Sequence, residues 1–274
     1  MSNAVDTCAL CPKLCRHVCP VAVATSLESA TPTSIMGEIM LVNRRFETDN
    51  TAHEAVDLCT RCGKCEEFCG VDQPVVSLLD DARTRLQAAP PKWVPPKIVG
   101  HSPTVAVVCG DQDWSKPLEG LTSQKMAVLA TSDHLGELHR IRTDTRSEVI
   151  AAIEKLMQGR TAITSCGSCR KALDDASVPT ESITMVSQTL PPLPTWRTCH
   201  CMPGPSVNTV VKCCGARSPL INSNPKISNK IAEEVGRRLD GQAIFVPDTR
   251  CAAHLKQSGV HAVGPSDPLF EMED

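Results

Sequence analysis

Sixteen cysteines in 274 residues constrain this chain more than any other feature of its sequence. In an exported protein such a number predicts disulfides, but the N-terminus, MSNAVDTCALCPK, lacks the basic and apolar regions of a signal peptide. No apolar run approaches the roughly 20 residues that a membrane-spanning helix requires. The net charge of -3 gives no whole-chain attraction to nucleic acid. We therefore expect a cytoplasmic protein without a membrane span, whose cysteines serve metal or redox chemistry.

Eight of the cysteines lie in two groups of four within residues 8–69. The second group, CTRCGKCEEFC, has the spacing C-x2-C-x2-C-x3-C that binds [4Fe–4S] cubes in bacterial ferredoxins. In that pattern three cysteines hold one cube and the fourth reaches a neighbouring cube, so the run predicts a partner run. Its cysteines are Cys59, Cys62, Cys65 and Cys69.

The partner run is CALCPKLCRHVCP, in which Pro20 follows the fourth cysteine as in the ferredoxin pattern. It departs from that pattern by three residues between Cys11 and Cys15, and Gly70 stands where proline would follow the other run. On a helix, every fourth residue of this run would still share a face. We predict two [4Fe–4S] clusters with crossed ligands, one held by Cys8, Cys11, Cys15 and Cys69, the other by Cys59, Cys62, Cys65 and Cys19.

Zinc is another interpretation of these cysteines that stays open, because paired C-x2-C elements also form tetrahedral sites of four thiolates.

Positive charges between the cysteines have two interpretations. They favour a redox role, because a cation near an anionic cluster raises its reduction potential, but they are equally typical of a solvated surface. These cations are Lys13, Arg16, Arg61 and Lys64.

The prolines divide the chain into two parts. Five of them lie in residues 88–103, where they disfavour both helices and central strands. We therefore predict a helical ferredoxin-like domain at 1–90, a proline-rich linker at 91–103 and a cysteine-rich domain at 104–274. In the first domain, PVVSLLDDARTRLQ has apolar residues at helical spacing.

The second part alternates between strand and helix patterns. Short apolar runs predict buried strands at 105–109, 126–130, 161–164, 182–186 and 243–247, and helical patterns lie at 146–157 and 229–239. This alternation favours an α/β domain with a mostly parallel sheet, so the fold class of the whole chain is α+β with two domains.

The segment KCCGARSPL, with Cys213, Cys214 and Gly215, resembles the CCG motif of heterodisulfide reductase subunits. The same cysteine-rich domain occurs in the iron–sulfur subunits of glycolate oxidase and anaerobic glycerol-3-phosphate dehydrogenase, where it follows a two-cluster ferredoxin-like domain. The resemblance implies a tandem repeat, about 104–181 and 182–274, in which each copy has a lone cysteine, a CCG motif and a C-x2-C pair.

Neither copy of this repeat is complete. The first has Cys109 and the pair Cys166 and Cys169, but Asp133 and His134 stand about where its CCG would be. Cys109 fits a core position, and the pair fits either a redox dithiol or a remnant of the repeat. In the second copy Asp248 replaces one cysteine of the terminal pair, so we expect at most one further metal or iron–sulfur centre. Its candidate ligands are Cys199, Cys201, Cys213, Cys214 and Cys251, with His200 as a supplementary ligand.

Three functions remain compatible with the sequence. The first is an iron–sulfur electron-transfer subunit of a heterodisulfide-reductase-like or flavin-dependent oxidoreductase complex. No glycine-rich dinucleotide fingerprint is present, so we expect electrons to come from a partner such as a flavoprotein. The alternatives are a disulfide or thiol reductase acting at the CCG cysteines and a zinc-stabilised binding scaffold.

Overall fold

The computed structural model describes residues 2–12, 14–44, 54–86, 97–109, 127–131, 143–164, 166–182, 193–196, 213–216 and 219–264. Within these ranges helices and strands are mixed, which confirms the α+β class. Several candidates of the sequence lie outside the described residues, namely Lys13, Asp133, His134, Cys199, His200 and Cys201.

The N-terminal part is helical in its described residues, as predicted. Prolines open two of the helices, since Pro20 and Pro32 occupy first-turn positions where a missing N–H costs nothing. Thr31 caps the second of these by accepting a hydrogen bond from the Ser34 N–H at 3.3 Å. The helices are α1 Ser2–Ala9, α2 Pro20–Thr25, α3 Pro32–Asn43, α4 Lys64–Glu67 and α5 Val75–Leu86, with 3-10 turns at Leu14–Val18 and Glu28–Ala30.

The first cysteine run does not share one helical face, so that part of the prediction is wrong. Helix α1 ends at Ala9, before Cys11. Cys15 lies in the 3-10 turn, and Cys19 is the N-cap of α2. Three short elements replace one helix because Pro12 and Pro20 interrupt the segment. The three thiols are therefore free to point to different sites.

A five-stranded sheet forms the middle of the chain. The strand order is β1-β3-β2-β4-β5, with β1 antiparallel to β3 and the remaining pairs parallel. Part of the predicted linker, Lys97–Val99, is a strand instead, and it lies at the edge of the sheet, where a proline-rich segment is tolerated. The strands are β1 Lys97–Val99, β2 Thr104–Cys109, β3 Ala127–Thr131, β4 Thr161–Thr164 and β5 Thr180–Ser182.

Two helices belong to this sheet, and a second strand pair follows it. Helices α6 Thr143–Met157 and α7 Gly167–Asp175 pack on the five strands through one apolar core. The C-terminal part contains α8 Pro219–Ser223, α9 Pro225–Leu239, β6 Ile244–Phe245, α10 Thr249–Gln257 and β7 Ala262–Val263. Strands β6 and β7 are parallel, and Thr195 forms a parallel bridge to Phe245.

The segments 143–182 and 225–264 correspond residue by residue. Helix α6 runs from 143 to 157 and α9 from 225 to 239, a constant separation of 82 positions. The same separation relates the hydrogen bond from Ala162 N–H to Pro179 O with that from Ile244 N–H to His261 O. It also relates Val178 N–H to Leu173 O with Val260 N–H to Leu255 O. The two segments thus adopt the same local structure without an insertion or deletion.

Three apolar cores organise the described residues. One contains Cys8, Cys15 and Cys65 together with residues of α1, α3 and α5, and a second lies between the sheet and its helices. The third joins the N-terminal and C-terminal parts, because Val21 of α2 lies in the same core as Ile231 of α9 and as Trp196. Helix α2 therefore packs on the C-terminal segment.

Candidate iron–sulfur site

Four cysteines are neighbours near the start of the chain, although they come from two distant segments. Cys8 lies near the end of α1, and Cys69 follows α4. The thiols of Cys15, Cys11 and Cys69 add to the burial that raises the pKa of Cys8, so the four cysteines lie near one another. The backbone N–H of Gln73 donates to Cys69 Sγ at 3.2 Å. The structure thus brings Cys69 to the first run.

The other four cysteines line one cavity. Cys19 lines it from the N-cap of α2 and Cys65 from α4. Cys59 and Cys62 line it from the segment that precedes α4. Apolar side chains form much of the rest of the wall, chiefly Pro20, Pro32, Ile35, Val75, Val76 and Leu79. Cys65 is also affected by Cys15, so the two sets of thiols are neighbours.

Burial makes these thiols reluctant to ionise. It raises the pKa of Cys8 and of Cys19 to about 12, with neighbouring thiols adding to the effect, and it raises the pKa of Cys65 further. As thiols they stay neutral near pH 7, while a bound cation would draw off their protons. A buried set of sulfur donors that cannot ionise alone fits an iron–sulfur cluster, which needs thiolate ligands.

None of the cysteines whose side chains are described forms a disulfide. In the same residues no three Cys, His, Asp or Glu side chains converge closely enough for a single metal ion. A cube spreads its four thiolates around a larger body than one ion, so the cysteines need not converge on one point to hold a cluster.

A charged network supports the loop that carries Cys59. The backbone N–H of Arg61 donates to Cys59 Sγ at 3.3 Å, and its side chain forms a bidentate pair with the buried carboxylate of Asp80. Arg83 on α5 donates to the carbonyls of Val56 and Cys59 at 2.5 and 3.0 Å. Arg83 counteracts the burial that raises the pKa of Cys59.

Sequence reasoning missed Arg83. It lies on α5 four residues after the buried Leu79, and its side chain is only 2% exposed. A cation on an otherwise apolar helical face was the signal that could have identified it, because an arginine is rarely buried without a partner.

The cations that the sequence singled out differ in their surroundings. Arg16 forms an ion pair with Glu28 in which both side chains are half exposed. Lys64 is buried, pairs with Glu67 and lies 4.9 Å from the centre of the Phe68 ring. Of the two, only Lys64 is held in a defined buried position.

The CCG segment lies against the second set of thiols. Cys213 forms a side-chain hydrogen bond with Cys62, and this bond together with burial raises the pKa of Cys62 well above its ordinary value. Cys214 belongs to the core that joins α2 to α9, and Cys19 packs against that core. The structure therefore brings a CCG thiol next to a cavity cysteine, a contact that sequence spacing could not predict.

The remaining candidates of the second part lie deeper in the fold. Cys251 is buried in the same core as Cys214. Its backbone N–H donates to the Asp248 carboxylate at 2.9 Å, so Asp248 is the N-cap of α10. In the corresponding place the Cys169 N–H donates to Cys166 Sγ at 3.3 Å at the start of α7. For Cys109 the structure describes the backbone, as the last residue of β2.

No helix in the described ranges is long and apolar enough to cross a membrane. Comparison with curated proteins and with solved structures found no match. Residues 4–72, which contain all eight cysteines of the two runs, match the family model described as "4Fe-4S dicluster domain". The N-terminal part of this chain is therefore similar to a domain of iron–sulfur electron transfer.

Proposed function

We propose that this chain is an iron–sulfur electron-transfer subunit of a heterodisulfide-reductase-like or flavin-dependent oxidoreductase complex. The observation that carries the proposal is the cavity lined by Cys19, Cys59, Cys62 and Cys65. Next to it lies the other set of thiols, Cys8, Cys11, Cys15 and Cys69. A [4Fe–4S] cluster, when bound, takes up and releases single electrons. Two such clusters side by side suit a relay to or from a partner flavoprotein.

The crossed ligand assignment is part of this proposal. It is supported by the action of Cys69 on Cys8 and Cys15, and by that of Cys59 and Cys62 on Cys19. Both effects support an assignment in which the fourth cysteine of each run joins the first three of the other run. In the proposed holoprotein these residues hold the clusters, while the apolar wall of the cavity keeps water away from them.

Two double variants test the crossed assignment by counting intact clusters. In C8S/C69S the crossed assignment removes two ligands from one cluster and leaves the other complete, so we expect one intact [4Fe–4S] cluster by EPR and about four irons per chain. In C8S/C19S each cluster loses one ligand, so we expect no intact cluster. The opposite pattern would show that each run holds its own cluster.

The electron-transfer role needs a separate measurement. The loaded protein is reduced with dithionite under anaerobic conditions and mixed with an oxidised flavoprotein that copurifies with it. We expect the EPR signals of both reduced clusters to disappear as the flavin is reduced. Reduced clusters that persist in the presence of that flavoprotein would contradict a relay.

A second candidate, a disulfide reductase acting at the CCG cysteines, is favoured by the contact between Cys213 and Cys62. Reduction of a disulfide consumes two electrons and two protons and yields two thiols, so a relay beside a reactive thiol would suit it. We test it with reduced methyl viologen and a model aromatic disulfide. The C213S/C214S variant should lose turnover while both cluster signals remain, and unchanged turnover would exclude this function.

The proposal extends to the second part of the chain. The constant separation of 82 positions between 143–182 and 225–264 supports a degenerate tandem repeat. A further metal or iron–sulfur centre would use Cys213, Cys214 and Cys251, together with Cys199 and Cys201 from outside the described residues. The proposal keeps a cytoplasmic location, because a reducing compartment preserves the thiols that cluster ligation requires.

A further inference from the structure

Arg83 is the most buried cation of the described residues, and it lies behind the Cys59 loop. Its side chain is 2% exposed. One terminal nitrogen, Nη2, donates to the carbonyls of Val56 and Cys59. Its Nε and Nη1 have no hydrogen-bond acceptor in the part of the chain that the structure describes. Such a group is costly to bury unless a negative charge lies nearby.

The neighbouring carboxylate does not neutralise Arg83 by a hydrogen bond. Asp80 accepts from Arg61 Nε at 2.6 Å and also pairs with Arg61 Nη2. The Nη1 of Arg83 lies 3.8 Å from Asp80 Oδ1, which is beyond hydrogen-bond distance. Two guanidinium groups therefore share the Asp80 carboxylate, and Asp57 is a further carboxylate near Arg83.

Arg83 is fixed to the loop of Cys59, because its Nη2 donates to the Cys59 carbonyl at 3.0 Å and its side chain is buried. The guanidinium is thus held close to a cysteine that lines the cavity. Arg16, which neighbours Cys15 in the first run, is instead half exposed and paired with Glu28. The most buried positive charge of the described residues thus lies behind the loop that carries Cys59.

We propose that Arg83 is a positioning residue that raises the reduction potential of the cluster held by Cys19, Cys59, Cys62 and Cys65. Four thiolates give such a cluster a negative charge, which grows by one electron on reduction, and a buried cation favours the more negative state. No bond forms or breaks in this step. The inference rests on the proposed function, since it requires a cluster in the cavity.

A higher potential favours the electron on this cluster. Cys62, one of its proposed ligands, contacts Cys213 of the CCG segment. Arg83 therefore favours electrons that rest beside the C-terminal part of the chain.

The test is an EPR-monitored redox titration of the loaded protein and of the variants R83Q and R83K. R83Q removes the charge but keeps an amide donor. For the second cluster, the one held by Cys19, Cys59, Cys62 and Cys65, we expect the ratio of the oxidised to the reduced form to rise at least tenfold at a fixed potential. This corresponds to a fall of about 59 mV for one electron. R83K keeps a positive charge, so it should retain more than half of the wild-type effect.

Arg85 provides the matched control, because it lies on the same helix and bonds Asn43 Oδ1 at 2.7 Å on the surface. R85Q should leave both potentials unchanged. Iron and sulfide content, measured on every sample, reports the proposed function separately from the role of Arg83. A cooperative thermal transition of each loaded variant reports folding.

A shift confined to one cluster in R83Q, with R83K close to wild type, supports the proposal. If R83Q loses only the second cluster while R83K keeps it at the wild-type potential, the requirement for charge is also supported. Equal potentials in R83Q and wild type with full iron content, or loss of the cluster in R83K as well, would overturn it.

Discussion

Gly215 shows at the scale of one residue why the CCG segment has its sequence. Its φ of 84° lies in the left-handed region, and a Cβ atom there would lie 3.0 Å from the Ser228 carbonyl oxygen. The Ser228 hydroxyl donates to the Gly215 carbonyl at 3.2 Å and lies at the same distance from His254 Nε2. Glycine at this position thus lets the turn that carries Cys213 and Cys214 approach α9.

The variant G215A is expected to lower the free energy of unfolding by about 1–3 kcal/mol, because a side chain adds both backbone strain and a close contact. Chemical denaturation of the cluster-free protein measures this difference. Gly37 is the matched control, since it has open space around its Cβ position and no positive φ. If G215A is as stable as G37A, the close approach to Ser228 is not what selects glycine.

Helices α7 and α10 begin at corresponding N-cap positions, one occupied by cysteine and the other by aspartate. Both helices follow a parallel strand, and each begins at a side chain that accepts from the backbone N–H three residues later. The acceptor is Cys166 Sγ in one and Asp248 Oδ1 in the other. Aspartate in place of cysteine therefore keeps the helix start while it removes a thiol.

The variant D248A should lose about 0.5–2 kcal/mol of stability, because the first turn of α10 loses its cap. D248C should lose less, since Cys166 caps α7 in the corresponding place. Thermal unfolding of the two variants gives the comparison. Equal losses in D248A and D248C would mean that a cysteine does not cap this helix.

Sequence patterns predicted elements whose cause is local. The apolar runs located α5 and most strands, because helical and strand periodicity can be recognised in consecutive residues. Strand β1 was not predicted, because prolines surround it in the sequence, although an edge strand tolerates them. Arg83 and the contact of Cys62 with Cys213 escaped because they depend on packing between distant segments.

At the scale of the whole molecule, the N-terminal and C-terminal parts share a core. Val21 and Ala30 are buried with Trp196, Ile231 and Leu255. The cavity with Cys19 therefore borders the C-terminal part, whereas the sheet has its own core. This arrangement predicts that the second cluster depends on the packing of α9.

Two fully buried isoleucines separate this effect from general stability. I231A opens the shared core and I153A opens the sheet core, and each should lower the free energy of unfolding by about 2–5 kcal/mol. Only I231A should accelerate loss of the second cluster to an iron chelator, followed by its absorbance. Equal rates of cluster loss in the two variants would contradict a link between α9 and the cavity.

Residues 4–72, which match the dicluster family model, are expected to hold two [4Fe–4S] clusters. Their content is measured by anaerobic purification followed by analysis of iron, acid-labile sulfide and zinc. We expect about eight irons and about eight sulfides per chain, and a clear excess of iron would indicate a further centre in the second part. Stoichiometric zinc without sulfide would exclude the two clusters, because the same thiols would then serve a structural metal.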